Sequence, residues 1–123
     1  MIELVSDNPS ALKRLKVAFR ACPQDFANLQ REVKAGRVSV YELSGDSYRV
    51  TVAGEIDGDS YFLWGVSGRG VVPAMRELSK YVKESGLTSI SAETYFPLVA
   101  KLCRRLSTKE HERGEVTRME MRV

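Results

Sequence analysis

The chain has 123 residues, 43% hydrophobic, 28% charged and 8% aromatic, which excludes disordered, collagen-like and coiled-coil chains. Its 19 Lys and Arg against 16 Asp and Glu leave a formal charge of +3, too mild to mark nucleic acid as a partner by itself. A chain of this length buries roughly two-thirds of its unfolded surface, so residues 1–123 are expected to form a single domain that needs neither metal nor disulfide.

Asn8-Pro9-Ser10 reads as a helix start, with Asn8 able to accept from an orphan amide and Pro9 pre-set at the first helical position. Leu12, Leu15, Phe19 and Cys22 then recur at three- and four-residue steps, with Lys13, Arg14, Lys16 and Arg20 between them. Pro23 interrupts this helix; Phe26, Leu29 and Val33 mark a second one, stopped by Gly36. From Val38 the period changes to two. Runs from Val38 to Leu43, Tyr48 to Glu55 and Ser60 to Val66, separated by Ser44-Gly45-Asp46 and Asp57-Gly58-Asp59, predict an antiparallel three-strand meander. The third run, Tyr61 to Val66, is apolar on both faces and belongs at the sheet centre with helices above and below.

Ser67-Gly68-Arg69-Gly70 follows as a turn, and Val71, Met75, Leu78 and Val82 define a helix ending at Gly86. Leu87 to Glu93 reads as a strand and Tyr95 to Leu106 as a further helix carrying Leu98, Val99, Leu102 and Leu106. The crossover from Ser60 to Glu93 makes its two strands parallel. A charged loop over Lys109 to Gly114 precedes a closing strand in which Thr117, Met119, Met121 and Val123 alternate with Arg118, Glu120 and Arg122. The expected fold class is α/β with a mixed sheet.

Cys22 and Cys103 form no CxxC pair and have only His111 for company, so no zinc site is expected. No basic-then-apolar leader follows Met1, and the longest apolar stretch, Tyr61 to Val66, is far short of a membrane span. Both point to a cytosolic protein with free thiols and no membrane partner.

This order of elements resembles the GNAT superfamily of N-acetyltransferases over nearly the whole chain. Gly68-Arg69-Gly70 sits as the family's Arg/Gln-x-x-Gly-x-Gly/Ala loop would, and Ala100-Lys101-Leu102-Cys103-Arg104-Arg105-Leu106 resembles its Ala-x-Leu-Tyr-x-x-Leu helix. At this length the chain looks most like the reduced GNAT-like proteins of tailed bacteriophages. The resemblance implies acetyl-CoA as cosubstrate and an amine-bearing small molecule or protein as acceptor. The pyrophosphate would lie against the amides of Ser67, Gly68, Arg69, Gly70, Val71 and Val72 at a helix N-terminus, and Val66 would offer its strand amide to the thioester carbonyl. Three positions depart from the family pattern: Ser67 stands where Gln or Arg is preferred, Val72 where Gly or Ala is usual, and Cys103 where a tyrosine commonly protonates the departing thiolate.

The carboxylates that could take the ammonium proton are Glu55, at the end of the second meander strand, and Glu93, at the end of the parallel strand. Each also has a plain reading, Glu55 as a solvated hairpin residue and Glu93 as the acid that opens the next helix. Cys103 is either the acid or a small buried hydrophobe. Arg69 is either a phosphate contact or a solvated turn residue. Lys101, Arg104 and Arg105, with Lys109 and Arg113, form either an anion-attracting edge or an ordinary helix face. Trp64 reads as core, while Tyr95 and Phe96 line an acyl channel or staple the helix start. The three departures favour a second reading from another class, a non-catalytic GNAT-like scaffold serving as a phage structural or host-binding protein.

Overall fold

The computed structural model describes residues 1–20, 23–94, 109–113 and 116–123. These residues build one mixed sheet of seven strands, β1 (Ile2–Leu4), β2 (Ser39–Gly45), β3 (Tyr48–Asp57), β4 (Ser60–Arg69), β5 (Ser89–Thr94), β6 (Lys109–Arg113) and β7 (Val116–Arg122). Their spatial order is β1-β2-β3-β4-β5-β7-β6. Only β4 and β5 run parallel; every other neighbouring pair is antiparallel. The meander expected from the period-two runs is therefore present, and its third strand is the central one of the sheet. The crossover between β4 and β5 is made by the helix α3 (Val71–Glu84).

The chain opens with α1 (Pro9–Arg14), capped by Asn8, whose Oδ1 accepts from Ser10 N at 2.9 Å and Ala11 N at 3.4 Å. The single long helix expected from the Leu12, Leu15, Phe19 stripe is instead two pieces, because the chain tightens into a 3₁₀ turn over Leu15–Phe19. The tighter winding brings the consecutive residues Ala18 and Phe19 onto the same patch of β4, at Gly65. The second helix, α2, spans Pro23–Lys34. Cys22 and the expected helix from Tyr95 to Leu106 lie outside the described residues, and with them Tyr95, Phe96, Lys101, Cys103, Arg104 and Arg105.

Away from Trp64 and Gly65 on β4, side chains alternate between the two faces. On one, Leu43, Val50, Val52, Tyr61, Leu63 and Ile90 pack under Ala74, Met75, Leu78 and Val82 of α3. On the other, Val38, Val40 and Ala53 pack under Ala11, Leu15, Phe19 and Leu29. The amphipathic stripes read from the sequence are thus the contacts that hold α1, the 3₁₀ turn, α2 and α3 to the sheet.

Three expectations are corrected. A short strand, β1, extends the sheet at one edge; three residues are too few to display a period. The charged stretch read as a loop contains β6, paired antiparallel with β7 from Lys109↔Glu120 to Arg113↔Val116; a charged strand at a sheet edge carries no apolar alternation to reveal it. The turn expected at Ser67 to Gly70 shrinks to one residue, because β4 continues through Arg69, paired with Arg49. Gly70 alone joins strand to helix at φ 73°, and a Cβ there would collide with the Ser47 carbonyl and Tyr48. Replacing Gly70 with Ala is expected to destabilise the fold by at least about 1–2 kcal/mol from the left-handed backbone alone, measured by urea denaturation.

Tyr61 lies over Gly54, which has no side chain to obstruct the ring. Its hydroxyl is buried without a hydrogen-bond partner among the described residues, and burial, with Tyr41 a smaller contributor, pushes the phenol far above the ordinary tyrosine range. The unfolded chain ionises this tyrosine near pH 10 while the folded chain keeps the proton to higher pH, so the stability it preserves below that pH is lost as pH rises beyond it. Tyr61→Phe should raise stability at neutral pH by about 1 kcal/mol, since it removes an unsatisfied buried hydroxyl, and should flatten the alkaline decline in denaturation curves recorded on either side of pH 10.

Candidate functional site

The centre of the sheet is interrupted at one point. Along β3 and β4 the register runs Asp57↔Ser60 to Gly54↔Leu63 and resumes at Ala53↔Gly65, so Trp64 is an extra residue on β4. Two consecutive side-chain positions, Trp64 and Gly65, therefore face the α1–α2 side, and Val66 turns to the α3 side. On its other edge β4 pairs with β5 only from Ser60↔Ser89 to Leu63↔Ala92. The paired end is pinned by a buried hydrogen bond of 2.9 Å between the Ser60 and Ser91 hydroxyls. Beyond Leu63, β4 continues to Arg69 with no partner on this side among the described residues, while β5 continues to Thr94 beside β7. The two central strands separate into a V.

The hairpin turn at Asp57↔Ser60 fixes which backbone groups face that opening. A two-residue turn closes on a doubly hydrogen-bonded pair, and along the ladder alternate residues direct both polar groups to the same neighbour. Counted through the bulge, Gly65, Ser67 and Arg69 face β3, whereas Val66 and Gly68 direct theirs into the V. At the end of the opening stands the N-terminus of α3. Its first hydrogen bond runs from Ala74 N to Gly70 O at 3.1 Å, so the amides of Val71 and Val72 have no intrahelical partner, and Pro73 has no amide at all. Val72 is buried at this helix end, outside both apolar clusters of the sheet faces. Arg69 is exposed beside this end and Ser67 is half-buried near Thr51.

Glu55 and Glu93 share the α1–α2 face. Glu55 lies opposite Phe62, and its Oε1 accepts from the Trp64 indole Nε1 at 3.0 Å. Trp64 is thus not core alone; it connects the bulge to a carboxylate. Glu93 lies 3.6 Å from Arg118 Nη1, and the same guanidinium stands 5.8 Å from the Phe62 ring centre. Val66, Gly68, Gly70 and Val71 thus follow one another along the edge of β4 and into α3, Glu55 is joined to β4 through Trp64, and Glu93 is tied to a cation. The bulge itself was missed in the sequence. An isolated glycine inside the run Phe62-Leu63-Trp64-Gly65-Val66 was the available sign of it. No helix among the described residues is long and apolar enough to cross a membrane, and no cluster of metal-ligating side chains occurs among them.

No protein-family model matches the sequence, and no curated protein matches it. Solved structures match the fold. The IAA acetyltransferase from Bacillus cereus aligns with a TM-score of 0.68 and 11% identity, over 100% of this chain and 99% of that one. An acetyltransferase from Bacillus subtilis in complex with CoA aligns at 0.69 and 11%, over 99% and 97%. The PaiA N-acetyltransferase from Thermoplasma acidophilum in complex with coenzyme A aligns at 0.66 and 11%, over 100% and 99%. The bulged, splayed sheet with α3 at its open end is accordingly the mixed α/β fold of GNAT acetyltransferases.

Proposed function

We propose that the protein is an acyl-CoA-dependent N-acyltransferase. The observation that carries this reading is the separation of β4 from β5 beyond Leu63↔Ala92, directly before the N-terminus of α3. Backbone donors exposed inside a sheet are otherwise costly, and two neighbours of the same fold hold CoA.

The residues present fit such a cosubstrate. The Val71 and Val72 amides and the positive end of the α3 dipole suit a pyrophosphate, with Arg69 exposed beside them. The Val66 amide, fixed in the V by strand alternation, suits a carbonyl oxygen that gains charge during transfer. Acetyl-CoA supplies an acyl group activated as a thioester: an acceptor ammonium and the thioester give an amide, the CoA thiol and one proton. Glu55 is the better base of the two carboxylates. Its Oε1 is held by Trp64, which leaves Oε2 to receive the ammonium proton, whereas Glu93 is engaged by Arg118.

Acetyl-CoA at 100 times its dissociation constant should stabilise the fold by about 2.7 kcal/mol, read as a rise in the thermal midpoint. Arg69→Glu, at an exposed site beside Arg49, should fold with an unchanged midpoint and show a much smaller rise. No rise in the unaltered protein would remove the proposal. Glu55→Gln should keep the acetyl-CoA shift but lower CoA release with an amine acceptor by about 10²-fold or more.

A further inference from the structure

A cavity of about 490 Å³ lies away from the V, between α1 with its 3₁₀ turn and α2, and its volume is that of a small-molecule site. Its floor is apolar, with the Phe19 and Phe26 rings 5.9 Å apart at 47°. Phe19 also separates the cavity from β4, because its ring lies against Gly65, where a Cβ would stand 3.0 Å away. Neither Trp64, Glu55 nor any residue of the V is among its described lining.

The wall concentrates charge. Lys13, Lys16, Val17 and Arg20 recur at the spacing of one helix face and all are exposed, and Arg14 adds a fourth cation. Residues 8–24 hold these four cations and no acid, so all 16 Asp and Glu lie elsewhere in a chain whose formal charge is only +3. Arg14 is answered by Glu42 at 3.3 Å, and Arg20 donates to the Val17 carbonyl at 3.1 Å. Lys13 and Lys16 have no ion-pair partner among the described residues. Like charges three and four residues apart on a helix repel one another, and Val17, set between them, is 52% exposed. Two costs therefore stand unrelieved at one place: adjoining positive charges, and an apolar side chain in water.

We infer that this groove is a binding site for a small amphipathic anion, its apolar body against Phe19, Phe26 and Val17 and its single carboxylate or phosphate head at Lys13 and Lys16. A cationic wall alone attracts any anion and an apolar floor alone any hydrophobe; a molecule with both relieves both costs. The concave floor fits a discrete molecule rather than a lipid surface, since insertion into a bilayer needs apolar side chains that project, whereas Phe19 is only 8% exposed. Sharing no residue with the V, the site stands independently of the acyltransferase reading.

The test titrates the full chain with octanoate, with 1-octanol, which has the same apolar body and no charge, and with acetate, which has the head and no body. Binding is followed through the amide resonances of Val17 and Phe26. Octanoate should move both, bind about fivefold or more tightly than octanol and lose that margin at high salt; acetate at the same concentrations should move neither. Lys13→Gln combined with Lys16→Gln, both at exposed positions, should not lower the thermal midpoint and should reduce octanoate to the affinity of octanol. Octanol binding as tightly as octanoate, a preference that survives the double substitution, or shifts that bypass Val17 and Phe26 each overturn the inference. So does uptake onto phosphatidylglycerol vesicles without any response to monomeric octanoate, which would assign the groove to a lipid surface.

Discussion

A sheet whose central strands pair along their full length has no backbone donor to offer a ligand, because every amide is already satisfied. In this protein one inserted residue removes that limitation. Trp64 has no opposite number on β3, and the change of twist that a bulge imposes coincides with the point where β4 and β5 cease to pair. Everything assigned to the site depends on that insertion: the amides of Val66 and Gly68 face away from β3 and meet no partner strand among the described residues, Gly65 faces the 3₁₀ turn, and the indole reaches Glu55.

The two cores hold the opening from opposite sides. On one face α3 is fixed by Ala74, Met75, Leu78 and Val82, which sets its N-terminus at the mouth of the V. On the other face Leu15 and Phe19 fix the cationic segment against Gly65 and Ala53. Arg14 and Arg49 converge on Glu42, at 3.3 and 2.5 Å, and join α1 to β2 and β3. Being largely exposed, these pairs add orientation more than stability.

Most of the architecture is legible in the residue pattern, since burial on a sheet face or helix stripe leaves a period. The Asn8 cap, the meander from Val38, the central apolar strand and the stripe of α3 all follow from such periods. What a period cannot reveal is a change of phase. Trp64 and Gly65 break the alternation by one position in a run that is apolar on both faces, so the break leaves no trace except the glycine. Glu55 and Val66 could be nominated from their places in the chain, but the indole that holds one and the strand edge exposing the other are tertiary facts. Lys13, Lys16 and Arg20, by contrast, read as the solvated side of a helix, and they are exposed in the fold.

The junction at Gly70 has a mechanical consequence. One residue gives no slack between β4 and α3, and its backbone is wedged against Ser47 and Tyr48 in the β2–β3 hairpin. Strand, helix start and hairpin tip therefore behave as one rigid corner. A load placed on the first turn of α3 is transmitted to a hairpin tip that lies outside the V, and any tilting of the helix must pivot there, leaving its far end near Ser85 to absorb the displacement.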